Sequence, residues 1–274
     1  MSDGHALLRA ILDDPDDDAP RLIYADWLEE RGEQSRAQFI RAQVELARLP
    51  ADHPNRDPFV QIERTLWKAN RAEWTAWIPS WIRFDRFRRG FLEEIRCKAV
   101  RFHEFADLIR GQTPLQSVSL DQAEQVAVPL FKSRALERLR SLRIRANVPE
   151  GAWSVLAESP YLSRLEKLQL GESSQPSELI RVLVKSQAFP ALKTLRLKSF
   201  PLGDELAAML VEHPWCARLD VLDLSRNFIT RPDAFIASEH LSKLQQLDLR
   251  HNHFDADRLA VDRLRQRFGA RLKI

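Results

Sequence analysis

Two histidines flank an asparagine at His251-Asn252-His253, a constellation that invites a metal-binding or nuclease reading. A metal centre needs further ligands from elsewhere, however, and no second cluster stands out to complete this one. Asn252 also falls at a turn position of a repeat described below, so both imidazoles are expected as solvated turn residues. The acidic run Asp13-Asp-Pro-Asp-Asp-Asp18 could suggest calcium, yet it lacks the glycine and the terminal bidentate glutamate of an EF-hand loop. A helix-breaking, N-capping acidic loop is the expectation. Cys97 falls at an apolar strand position and Cys216 beside Trp215, so both thiols are expected to pack as small hydrophobes. A nucleophilic cysteine needs exposure and a base, and these positions promise neither. Neither a Gly-x-Ser-x-Gly elbow nor a phosphate-cradling glycine loop occurs. The expectation is therefore no enzyme, no catalytic residue, no metal and no cofactor.

The informative chemistry is positive charge, and a repeat positions it. The pattern Leu-x-x-Leu-x-Leu-x-x-Asn is clearest at Leu219, Leu222, Leu224, Asn227 and at Leu244, Leu247, Leu249, Asn252. Weaker copies pass through Leu142 and Asn147, through Leu168, and through Leu195. Equivalent positions are Ile95, Val118, Leu142, Leu168, Leu195, Leu222, Leu247 and Leu272, separated by 23 to 27 residues. Such a period belongs to leucine-rich repeats. Within each copy the two apolar residues alternate with period two and point inward, while the residue between them points out. Amphipathic stretches such as Glu205–Val211 and Ala256–Phe268 read as the intervening helices. Since no copy can bury its own apolar face, neighbours must stack into a curved solenoid with a concave parallel sheet and helices on the convex side.

That register defines three outward columns. They hold ten basic and four acidic residues. The candidate binding residues on the concave face are Arg96, Lys98, Arg143, Arg145, Lys167, Arg196, Lys198, Asp223, Asp248 and Arg250. With strands stacked at about 4.8 Å, Arg143, Arg145, Lys167, Arg196 and Lys198 would form one positive patch. The competing readings are solvated charge on an exposed sheet, a contact surface for an acidic protein, and a groove for a nucleic-acid backbone. Arg83-Phe-Asp-Arg-Phe-Arg-Arg89 could extend the patch, but its alternating apolar residues suit packing before the first strand better. Arg271–Ile274 fits a further strand with an open edge, which a partner or a second copy could cover.

Ahead of the repeat, residues 3–49 read as short helices: His5–Leu12, then Arg21–Arg31 ending at Gly32, then Gln34–Leu49. Residues 57–82 carry Trp67, Trp74 and Trp81 at intervals of seven, plus Trp77, and Pro79 is expected to end their helix before Trp81. They suit a hydrophobic cap on the first repeat, with a base-stacking platform as the alternative. The segment Leu12-Asp-Asp-Pro-Asp-Asp-Asp-Ala-Pro-Arg-Leu-Ile-Tyr-Ala-Asp-Trp-Leu-Glu-Glu-Arg-Gly32, followed by Arg36-Ala-Gln-Phe-Ile-Arg-Ala-Gln43, resembles the repeat-companion domain of planctomycete-type and some other bacterial proteins. Phe87-Arg-Arg-Gly-Phe-Leu-Glu-Glu-Ile95 resembles the usual lead-in to the leucine-rich array of such proteins. The resemblance implies a companion-plus-repeat architecture and brings no activity with it.

These signals give an α/β fold: a helical companion domain over residues 1–50, a helical bridge over 51–90, and the leucine-rich array over 91–274. Charge is uneven, with a net of −5 over residues 1–50, +3 over 51–90 and +5 beyond, as modules with different partners would show. Two cysteines are too few for a disulfide framework, and no leader or membrane-length apolar run is visible. A cytoplasmic adaptor or scaffold that grips an acidic protein is the leading expectation. A nucleic-acid-binding accessory subunit comes next, and an enzyme with a site between cap and array last.

Overall fold

The computed structural model describes residues 3–85, 87–171, 175–254 and 258–274. Arg86 of the basic stretch and Ala256, where the last helix is expected to begin, lie outside the described residues. Eight strands and eleven α-helices alternate along the described chain, after an N-terminal stretch that is wholly helical. The strands form a single sheet in chain order, β1 to β8. Contacts divide the chain into two compact units, one made of residues 1–97 and 105–117, the other of 98–104 and 118–274.

The first unit contains α1 (Asp3–Asp13), α2 (Ala19–Glu30), α3 (Gln34–Arg48), α4 (Arg56–Trp74), most of β1 (Glu94–Lys98) and the latter half of α5 (Ala99–Arg110). The acidic run separates α1 from α2 as expected, but Asp18 at the start of α2 makes no capping bond with its side chain, against the expected N-cap. Asp14 accepts the N–H of Asp16 at 3.3 Å and Asp17 that of Ala19 at 2.9 Å, while Pro20 occupies the first turn of α2. Gly32, at φ +86°, supplies the left-handed residue just after α2. The apolar stripes of α1 to α3 meet in a core of Ile11, Ala25, Leu28, Ala37, Ile40 and Val44, which Phe91 completes. The tryptophan helix ends at Trp74, short of Pro79. Trp67 and Trp74 pack on Phe39 at 5.7 and 4.8 Å between ring centres, whereas Trp81 lies against Phe105. Two of the three indoles spaced by seven thus line one aromatic cluster, and the third belongs to another.

In the second unit β2 (Ser117–Asp121), β3 (Ser141–Arg145), β4 (Lys167–Gly171), β5 (Thr194–Lys198), β6 (Val221–Asp223), β7 (Gln246–Asp248) and β8 (Leu272–Lys273) alternate with α6 (Ala127–Phe131), α7 (Ala152–Ala157), α8 (Pro176–Lys185), α9 (Gly203–Val211), α10 (Asp233–Ala237) and α11 (Arg258–Phe268). From β3 to β8 the pairing is parallel, and Leu142, Leu168, Leu195, Leu222, Leu247 and Leu272 stand side by side in it. Ile144, Leu170 and Leu197 form the next row. All but Leu272 are fully buried, so each contributes roughly 1.5–3 kcal/mol of apolar transfer.

Polar rungs tie several of the neighbouring copies together. Asn227 donates to the carbonyls of Leu197 (2.7 Å) and Ser225 (3.2 Å), and Asn252 to those of Leu224 and Leu249 (both 2.9 Å). Just before these asparagines Arg226 and His251 are left-handed, as are Gln122 and Ser199 at equivalent positions. At the helix ends Ser159, Ser186 and Ser238 each donate to a carbonyl one copy earlier, those of Phe131, Ala157 and Val211. Each rung satisfies a buried carbonyl that the turning chain would otherwise strand.

Candidate binding face of the sheet

The alternation of the strands decides which side chains reach solvent. On β1, Ile95 and Cys97 are buried while Arg96 and Lys98 are exposed. On β3 to β5 the inward rows are aliphatic, and the outward positions read Ser141, Arg143, Arg145; Lys167, Gln169, Gly171; Thr194, Arg196, Lys198. Five of these nine residues are cations and none is an acid. Arg143, Gln169 and Arg196 are neighbours in one row, and Arg145, Gly171 and Lys198 in the next. Arg145 and Lys198 are exposed, while Arg143, Lys167 and Arg196 are half-buried along their stems. Arg145 Nε donates to Asp121 on β2 at 2.9 Å. The Nε of Arg196 is buried with no hydrogen-bond partner among the described residues.

Beyond β5 the face changes character, because the expected binding residues Asp223 and Asp248 bond within their own turns. Asp223 accepts the N–H of Ser225 at 3.0 Å, closing its own turn. Asp248 is only 2% exposed; it accepts the N–H of Arg250 at 3.2 Å and its guanidinium at 2.6 to 3.2 Å. Burial alone would raise the Asp248 carboxyl, but the bonds from Arg250 and the nearby charges of Arg250 and Lys273 outweigh it and hold the group below its ordinary value. Asp248 is therefore a structural carboxylate, and Arg250 is its partner. Ser119 and Ser225, at outward places of the same alternation, are buried as well.

The candidate chemistry sorts in the same way. His251 and His253 are exposed, and His253 stacks on Phe228 at 5.7 Å between ring centres. No group of three or more potential metal ligands converges among the described residues. Cys97 and Cys216 are buried and free of disulfides. Cys216 donates to the carbonyl of Leu210 at 3.1 Å, and burial pushes its thiol up to about 12, far from a usable nucleophile.

Sequence reasoning missed a second polar assembly, in the first unit. Arg88 and Phe91 pair across a two-residue turn, with N–H···O distances of 2.7 and 2.9 Å, and the turn residues Arg89 (φ +45°) and Gly90 (φ +87°) are both left-handed. This is a type I′ hairpin. Gln43 donates to the carbonyl of Phe87 at 2.9 Å and accepts the N–H of Gly90 at 2.8 Å. Arg21 donates to the carbonyl of Arg89 at 3.1 Å, and Arg36 to that of Gly90. Arg21 is fully buried and lies 2.8 Å from Glu93; burial lowers the Arg21 guanidinium to about 10 and raises the Glu93 carboxyl. Burial likewise lowers Arg36 to about 10, among the rings of Phe39, Trp74, Phe87 and Phe91. The adjacent Arg-Gly pair was the signal for this hairpin. A cavity of about 400 Å³ opens beside it, but its ionic groups are occupied: Arg89 pairs with Glu93 at 3.0 Å, Glu63 accepts from Gln43 at 2.7 Å, and Arg56 donates to the carbonyls of Leu46 and Leu49.

No helix among the described residues is long and apolar enough to cross a membrane. No protein-family model matches this chain, and no curated protein sequence matches it.

Proposed function

We propose that this chain is a non-catalytic binding protein: a leucine-rich-repeat solenoid with a helical companion segment, whose outward sheet face grips an acidic protein partner. One observation carries the reading. The outward positions of β3 to β5 hold Arg143, Arg145, Lys167, Arg196 and Lys198 with no carboxylate among them, although acids and bases are nearly balanced over the chain. A face whose outward positions carry positive charge attracts and orients a partner of complementary, acidic surface. The companion reading is supported by Arg21, Arg36 and Gln43, which lie within the segments that carry the resemblance and converge on the Arg-Arg-Gly turn of the lead-in. An adaptor working in the cytoplasm suits both.

The test is affinity capture from the native host with nuclease-treated extract, comparing the parent with the double variant Arg143→Glu/Arg196→Glu. The expected result is a protein retained by the parent after nuclease treatment and lost by the variant, with both chains melting alike. Retention equal on parent and variant contradicts the reading. Retention abolished by nuclease transfers the face to nucleic acid.

A further inference from the structure

Glycine is an unexpected residue at position 171. It closes β4 directly after the inward-pointing Leu170, and its neighbours in register are Arg145 and Lys198. A glycine in a strand forfeits packing and costs backbone entropy, so it marks a bulge, a tight bend, or a place where another molecule comes close. Gly171 pairs regularly with both neighbouring strands, which removes the bulge. It is absent from the left-handed glycines, and a Cβ added there meets nothing within 4 Å. Among the described residues nothing asks for glycine here.

What the missing side chain creates is a notch one strand wide in the cationic face. Lys198 stands exposed on one flank and Arg145 on the other. On the Arg145 flank, Nε donates to Asp121 on β2, the strand on the far side of β3 from β4. One step along the strands, Gln169 lies next to Arg196 and its unpartnered Nε.

We propose that this notch receives a single carboxylate side chain, Asp or Glu, of the acidic partner, and that Gly171 is the residue that admits it. The inference rests on the sheet face being the binding surface. The Lys198 ammonium supplies the charge, the Gln169 amide a donor, and the absent Cβ the room. Every other outward position on these three strands carries a side chain that would fill the space.

Binding of a fluorescein-labelled hexaglutamate peptide to the full chain at low ionic strength tests the proposal, with thermal melting as the control for folding. Gly171→Leu and Lys198→Ala should each weaken binding about tenfold, the scale of one charge-assisted hydrogen bond, while melting as the parent does. The two positions fail separately, so Lys198→Ala keeps the test decisive even if leucine disturbs β4. If both variants bind within about twofold of the parent while Arg143→Glu/Arg196→Glu no longer binds, the notch is wrong and the face reading survives. If the double charge reversal binds as well as the parent, or the parent does not bind hexaglutamate, the face reading fails and the notch with it.

Discussion

Arg21 and Glu93 show how much a single buried charge demands of its surroundings. Arg21 is fully buried; its terminal nitrogens reach Glu93, the carbonyl of Arg89 and that of Pro15 at 2.8 Å, while its Nε has no hydrogen-bond partner among the described residues. Removing one partner strands the other in a low-dielectric site, so Glu93→Ala should cost about 3–5 kcal/mol in urea unfolding. Replacing the pair together, as Arg21→Met with Glu93→Leu, should recover most of that loss. A Glu93→Ala chain as stable as the parent would show that Arg21 finds enough compensation without it. Asp204 gives a prediction in pH. Burial alone would raise its carboxyl, but bonds from the Thr230 hydroxyl and from the N–H groups of Arg231 and Thr230 outweigh this and hold it below its ordinary value. A depressed folded value means the stabilisation is complete above the unfolded value and disappears as pH falls through the folded one. Asp204→Asn should therefore flatten the acid limb of stability against pH between neutrality and strong acid. An unchanged limb contradicts the assignment.

At the scale of the element, the asparagine rungs and the hairpin are separable devices. Asn227 is fully buried and spans two copies of the repeat. Asn227→Ala strands those carbonyls and should cost about 1–3 kcal/mol, read by denaturant midpoint. Gly90 combines φ +87° with a Cβ position 2.5 Å from Ile40, so Gly90→Ala should destabilise the hairpin by more than the roughly 1 kcal/mol of the backbone effect alone. The leucine rows are legible in the sequence because two periodicities coincide in them, two residues within a strand and about 25 between strands. The asparagine turns are legible for the same reason. Which outward residues remain available is not. Asp223 and Arg143 hold equivalent places in the alternation, yet a short carboxylate bonds the N–H two residues on, which a long guanidinium does not. The serine rungs are also hidden, because Ser159, Ser186 and Ser238 follow a slightly uneven spacing and a lone serine carries no pattern. The Arg89-Gly90 turn is readable from turn chemistry, but not its three partners, which lie 44 to 68 residues away.

Across the whole molecule, the apolar rows supply cohesion and the outward columns supply charge. Leu195 is fully buried at the centre of the parallel register, so Leu195→Asp places a carboxylate where no partner exists. The variant should lose its cooperative melting transition by circular dichroism, and an unaltered melt would contradict the stacked register. Charge on the outward side is segregated: cations crowd β3 to β5, while the aspartates of β6 and β7 are spent on their own turns. The most direct measurement is an NMR titration of the isotopically labelled full chain with hexaglutamate. Shift changes should concentrate at residues 141–145, 167–171 and 194–198 and vanish as salt is raised. Changes concentrated on α6 to α11 instead, or none anywhere, would contradict the central claim that this face is the binding surface.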